Sequence, residues 1–212
     1  MKIISTVFLC VITFILTGCA TSGIDYTPPG EHKVTNSLAV KNPFNKVWKT
    51  LLHSLSGEFF IINNIEKDSG IINVSFSTDS PENYVDCGET TRTFSNARGK
   101  RVYEYKTAGS SQYTVFMDPY LVDVSRNTAL SGRANILVTE KGRSMTNVIV
   151  NAKYVLDIKT KGYLQSGKFI GGDTNSVTFT SKKPSKEILD KNGIICRSNG
   201  LLEQQILDFV RQ

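Results

Sequence analysis

Two runs of alternating residues, separated by a single turn, constrain this chain more than any other feature. Val148, Val150, Ala152, Tyr154, Leu156 and Ile158 alternate with Asn147, Ile149, Asn151, Lys153, Val155 and Asp157, a period of two that belongs to a strand burying one face. Upstream, Leu130, Ala134, Ile136 and Val138 alternate with polar positions, and Glu140-Lys141-Gly142-Arg143 between the runs reads as a turn. Strands of this length have to bend over a neighbour to bury one face, so the chain is committed to an antiparallel sheet with a covering layer.

The covering layer is written at both ends of the sheet-forming region. Phe44, Val47, Trp48, Leu51, Leu52 and Leu55 recur at helical spacing and form one apolar stripe. Asn42 is the expected N-cap, Pro43 the first helical position, and Gly57 the stop. Near the C-terminus, Leu202, Ile206, Phe209 and Val210 share a face behind Ser198 or Asn199 as cap. Residues 34–40 read as a first strand, and 59–65 with 71–77 as a hairpin around Glu66-Lys67-Asp68-Ser69-Gly70. Short strands are also predicted at 102–106, 113–117 and 176–180. Residues 78–100 show no period and read as a long loop with a functional role; 162–175 read as a Gly-rich turn region. The predicted fold class is α+β, a curved antiparallel sheet packed on an N-terminal and a C-terminal helix.

The first eighteen residues hold one charge, Lys2, an apolar run over 3–16 and then Thr17-Gly18. That is the layout of an export signal, and the run is too short for a stable span. Leu16-Thr17-Gly18-Cys19 resembles the lipobox of bacterial lipoproteins. The resemblance implies cleavage before Cys19, diacylglycerol on its thiol, further acylation of the palmitate type, and, with Ala20 next, delivery to the outer membrane. Two or three acyl chains at about 0.8 kcal/mol per buried methylene hold a protein to a bilayer almost permanently. The expected domains are the signal (1–18), the lipidated cysteine with a flexible tether containing Pro28-Pro29-Gly30 (19–32), and a single α+β domain (33–212).

With Cys10 in the signal and Cys19 acylated, Cys87 and Cys196 remain in an oxidising compartment, where a disulfide between them is expected; two buried thiols are the alternative. Neither histidine lies near either cysteine, and no Cys-x-x-Cys occurs, so no metal site is expected.

The lipobox, the helix bearing Phe44, Val47, Trp48 and Leu51, and the hairpin that follows it together resemble the helix-grip domains of BamC-type outer-membrane lipoproteins. Tyr84-Val85-Asp86-Cys87-Gly88 and Cys196-Arg197-Ser198-Asn199-Gly200-Leu201-Leu202-Glu203 resemble paired segments of small bacterial envelope lipoproteins. The resemblance implies a helix-grip fold, a lipid-anchored periplasmic location and an envelope protein partner, or else a carrier of a lipid or other hydrophobic ligand.

Chemistry is sparse. His32 falls in the tether and His53 off the apolar stripe, and no Gly-x-Ser-x-Gly, His-Glu-x-x-His or phosphate loop occurs. Asp79, Glu82, Asp86 and Glu89 form an acidic group, and Arg98, Lys100 and Arg101 with Lys182, Lys183 and Lys186 a basic one; both read as solvated surface. Lys+Arg 25 against Asp+Glu 19 is too small a surplus for a nucleic-acid binder. The expectation is a non-enzymatic outer-membrane lipoprotein without cofactor, serving as an interaction or assembly module of the cell envelope, with a hydrophobic-ligand carrier as the alternative.

Overall fold

The computed structural model describes residues 20–185 and 193–211, so the expected signal and Cys19 lie outside the described residues. In chain order the elements are β1 (Thr21–Thr27), β2 (Ser37–Val40), α1 (Phe44–Gly57), β3 (Ile61–Glu66), β4 (Ile71–Thr78), β5 (Val85–Asp86) and β6 (Glu89–Asn96). Then come β7 (Gly99–Lys106), β8 (Ser111–Met117), β9 (Tyr120–Glu140), β10 (Thr146–Leu164), β11 (Phe169–Thr180), β12 (Arg197–Ser198) and α2 (Leu201–Asp208). The fold is mostly β within an α+β plan, and no helix among the described residues is long and apolar enough to cross a membrane.

The alternating runs form one hairpin of 21 and 19 residues, paired without interruption from Glu140↔Thr146 to Val122↔Leu164. Around it the large antiparallel sheet runs β11-β10-β9-β4-β3. β8 takes the first half of β9 and β4 the second, while β2 takes the start of β10 and β11 the rest. The even-numbered residues of β9 over 130–138 and of β10 over 146–158 are buried, and Ile136, Val138, Val148 and Val150 join Val47, Trp48, Leu51 and Leu55 of α1 in one core with Leu202 and Ile206 of α2. The stripe read from the sequence is therefore the buried face of α1.

Several expectations are corrected. Pro43, not Asn42, is the N-cap of α1, and its carbonyl accepts from the Lys46 and Val47 amides while the Asn42 side chain takes Lys46 Nζ. Gly200 stands at the N-cap of α2, and the Asn199 side chain accepts from the Leu201 amide. The tether does not hold for residues 21–27, which form β1 and pair in register with β6 from Thr21↔Ser95 to Thr27↔Glu89. The loop expected at 78–100 contains a short 3-10 turn (Pro81–Asn83), β5 and β6, and β1-β6-β7 make a second sheet. The Gly-rich segment is largely β11, where Gly172 lets strands approach: a Cβ there would stand 2.5 Å from the Thr160 carbonyl oxygen.

Cys87 and Cys196 form the disulfide. It closes the C-terminal segment onto the body of the domain beside the two-residue ladder of β5 with β12. The Tyr26 hydroxyl of β1 lies against the same junction, donating to the Cys87 carbonyl at 3.1 Å and accepting from the Ile195 amide at 3.0 Å.

Two polar knots fasten the layers. Glu203, fully buried in the first turn of α2, accepts from Tyr154 Oη at 2.8 Å, Ser181 Oγ at 2.6 Å and Ser198 Oγ at 3.1 Å. Burial, and then the facing Glu203 carboxylate, push the Tyr154 phenol far above its usual range. In the second knot, buried Arg126 donates to the Gly109 and Thr107 carbonyls and lies over the Tyr105 ring, while Arg92 sits 4.3 Å from the Tyr113 ring centroid. Tyr105 and Tyr113 stack at 5.9 Å, which ties β7 of the small sheet to β8 of the large one. Burial holds the Arg126 guanidinium below its usual pKa, and no carboxylate pairs with it among the described residues.

Candidate functional site

The outer face of the large sheet carries the odd-numbered residues of β9 and β10, and register brings them into rows across the strands. One row reads Ile61, Ser75, Arg133, Lys153 and Thr180, each directly opposite the next. Neighbouring strands lie about 4.8 Å apart, so the row spans about 19 Å. Arg133 and Lys153 are both exposed, and neither has an ion-pair partner among the described residues. Like charges directly opposite on a sheet destabilise it, and an anion placed between them removes that cost.

The adjacent row is a ladder of amides: Asn73, Asn135 and Asn151 are opposite one another. Asn63 donates to Asn73 at 3.0 Å, Asn73 donates to Asn135, and Asn36 donates to Asn151 at 3.1 Å. The ladder makes the face polar beside the cations. Two open clefts of about 530 and 460 Å³ flank the pair, one including Ile61, Ser75 and Ser131, the other Asn135, Thr180 and Lys182, and both are lined by Arg133 and Lys153. At the rim, β3 is the last strand of the sheet, and Ile61 on it is 66% exposed. An edge strand offers unpaired backbone groups to another chain. The arrangement can dock an extended or acidic partner; Ser181, whose Oγ donates to the buried Glu203 carboxylate at 2.6 Å, also lines the second cleft.

The residues singled out from sequence distribute as follows. His53 is exposed on α1, and His32 sits 3.2 Å from Asp86. Glu82, Asp86 and Glu89 line a cleft of about 220 Å³ with His32 and Lys106, while Asp79 is not among its lining residues. Among the described residues no three His, Cys, Asp or Glu side chains are grouped to hold a metal. The basic group is split: Lys182 lines the cleft beside Lys153, Arg98, Lys100 and Arg101 surround the β6–β7 turn, and Lys186 lies outside the described residues. Sequence reasoning missed Arg133 opposite Lys153, which only the hairpin register reveals, although both alternating runs and the turn between them were visible.

A further cleft of about 540 Å³ lies between Tyr103, Thr114, Asp123 and Tyr163, where Thr114 Oγ1 donates to Asp123 Oδ1 at 2.7 Å. No protein family, curated protein or solved structure matches the chain.

Proposed function

We propose that this chain is a non-enzymatic outer-membrane lipoprotein, anchored through Cys19 and facing the periplasm, whose helix-grip-like domain is an interaction module for an acidic component of the cell envelope. The observation that carries the reading is the exposed pair Arg133 and Lys153, opposed in register and without a counter-ion among the described residues. The lipobox supports the anchor, and the disulfide suits an oxidising compartment. Trp48, Leu51, Leu55, Tyr154 and Phe179 fill the space between helices and sheet where a carrier would hold its ligand. That filling favours the interaction module over the hydrophobic-ligand carrier.

The test is crosslinking in intact envelopes from a photoreactive residue at position 135, with Cys19→Ser and Arg133→Glu/Lys153→Glu as comparisons. We expect a defined envelope component captured by the anchored protein and lost on charge reversal with the fold retained. Equal capture by the reversed variant, or a stoichiometric lipid extracted from the domain with no partner captured, overturns the proposal.

A further inference from the structure

One end of the molecule gathers features that the outer-face reading does not use. Val122 pairs with Val115 on one side and Leu164 on the other, so the β8–β9 and β10–β11 turns project side by side beyond that row. The Phe116 amide, next to the first of these turns, donates to Ser22 Oγ of β1 at 2.6 Å. β1 pairs Thr21 with Ser95, immediately before the β6–β7 turn. Three hairpin turns and the beginning of β1 therefore share this end. The β3–β4 and β9–β10 turns lie at the other, because Ile71 pairs with Leu137 near the far end of β9.

The shared end is apolar at its tips and cationic around them. Met117 and Tyr120 are 58% exposed, Phe169 55% and Ile170 45%. Ile65 and Ile71 beside the β3–β4 turn are exposed as well, at 46% and 38%, but this end gathers the larger set on two turns that the register sets side by side, and exposed apolar side chains gathered in one place mark a contact. Over residues 94–101, 115–122 and 163–170 the charges are Arg98, Lys100, Arg101 and Lys168 against Asp118 alone. Apolar and amphipathic tips ringed by Lys and Arg fit the boundary between acyl chains and anionic headgroups.

The path of the chain identifies the occupant. Cys19 precedes Thr21 by two residues, about 7 Å of extended backbone, so a bilayer holding acyl chains on Cys19 lies at this end. We infer that the three turns form a bilayer-contact surface. Met117, Tyr120, Phe169 and Ile170 enter the interface, and Arg98, Lys100, Arg101 and Lys168 meet anionic phosphates. The inference rests on the anchored reading for its choice of occupant, but the surface itself does not require the acyl chains.

The test uses full-length protein extracted from membranes and reconstituted into vesicles of phosphatidylcholine and phosphatidylglycerol with brominated acyl chains. Tyr120→Trp and Met117→Trp place a fluorophore at the tips, and Ile65→Trp places one near the opposite end. The sole native tryptophan, Trp48, is buried in the core and supplies a common background. Bromine quenching severalfold greater for both tip variants than for Ile65→Trp is the expected result, and equal quenching at the two ends overturns the surface. Intact mass reports acylation in the same samples. Acylated protein without tip quenching refutes the surface and leaves the anchor; unacylated protein with tip quenching refutes the anchor and leaves the surface; the absence of both refutes both.

Discussion

Replacing both bridge cysteines, Cys87→Ala/Cys196→Ala, tests how the C-terminal segment is held. The bridge spans 109 positions, and the chain-entropy relation for a loop of that size gives about 16 cal/mol/K, or about 4.8 kcal/mol at 25 °C. The local ladder between β5 and β12 has only two residue pairs, Asp86 with Arg197 and Val85 with Ser198, and is too short to replace that constraint. Both cysteines are buried, so trimming them to alanine adds a small packing loss to the same sign. Urea titration of oxidised wild type against the double variant should show a loss of about 3–5 kcal/mol and a steeper denaturant dependence, because the unbridged chain exposes more surface when unfolded. A loss below about 1 kcal/mol with an unchanged slope refutes the argument that the bridge acts by restricting the unfolded chain.

Three further outcomes follow from the buried polar knots. Glu203→Leu leaves the Tyr154, Ser181 and Ser198 hydroxyls without their shared acceptor; thermal denaturation should show a loss of about 3–5 kcal/mol, and a larger residual stability for Glu203→Gln. The Tyr154 phenol is raised in the folded state, so its contribution is intact below the unfolded value near pH 10 and is lost as pH climbs beyond it. Stability measured across that range should fall by up to about 1.4 kcal/mol per pH unit from this group, and Tyr154→Phe should remove that part of the slope. Arg126→Met strips the Thr107 and Gly109 carbonyls of their donor; a loss of about 2–4 kcal/mol is expected. Hydrogen exchange in that variant should rise in β6 and β7 before β4, and uniform exchange would contradict the role given to the knot.

How much was legible in the sequence depended on whether a strand's inward positions are apolar. The second half of β9 and most of β10 announced themselves through Ala134, Ile136, Val138 and the run from Val148 to Ile158. The first half of β9 did not, because its inward positions include Arg126 and Thr128, which are buried among carbonyls, hydroxyls and tyrosine rings. β1 was hidden for another reason: only Tyr26 along it is even half-buried, and the strand is held by backbone pairing and one phenol hydroxyl. The α1 stripe was visible because packing alone decides it. The outer-face row was not, since Ile61, Ser75, Arg133 and Lys153 come from four strands and no local pattern joins them. Net charge gave no sign of the row either, because basic residues divide between the outer face and the turn end.

The pairing of β1 changes what an anchor at Cys19 would do. A free coil would let the domain tumble near the bilayer, whereas a strand bonded along its length to β6, with its start beside Phe116, fixes the attachment point at one end of the fold. Arg133 stands 13 residues along β9 from Tyr120, about 43 Å of strand at 3.3 Å per residue, less whatever the bend of the sheet removes. The turn end and the outer-face row are thus separated along the strand direction by the hairpin that dominates the sequence. On the proposed reading, the length of β9 and β10 sets how far from the membrane the cationic row meets its partner. Shortening both strands by two residues each keeps the inward and outward alternation, because the side-chain period is two. It should leave tip quenching unchanged while moving a label at Arg133 about 7 Å closer to a lipid-borne acceptor. If that distance does not change, the hairpin does not act as the spacer.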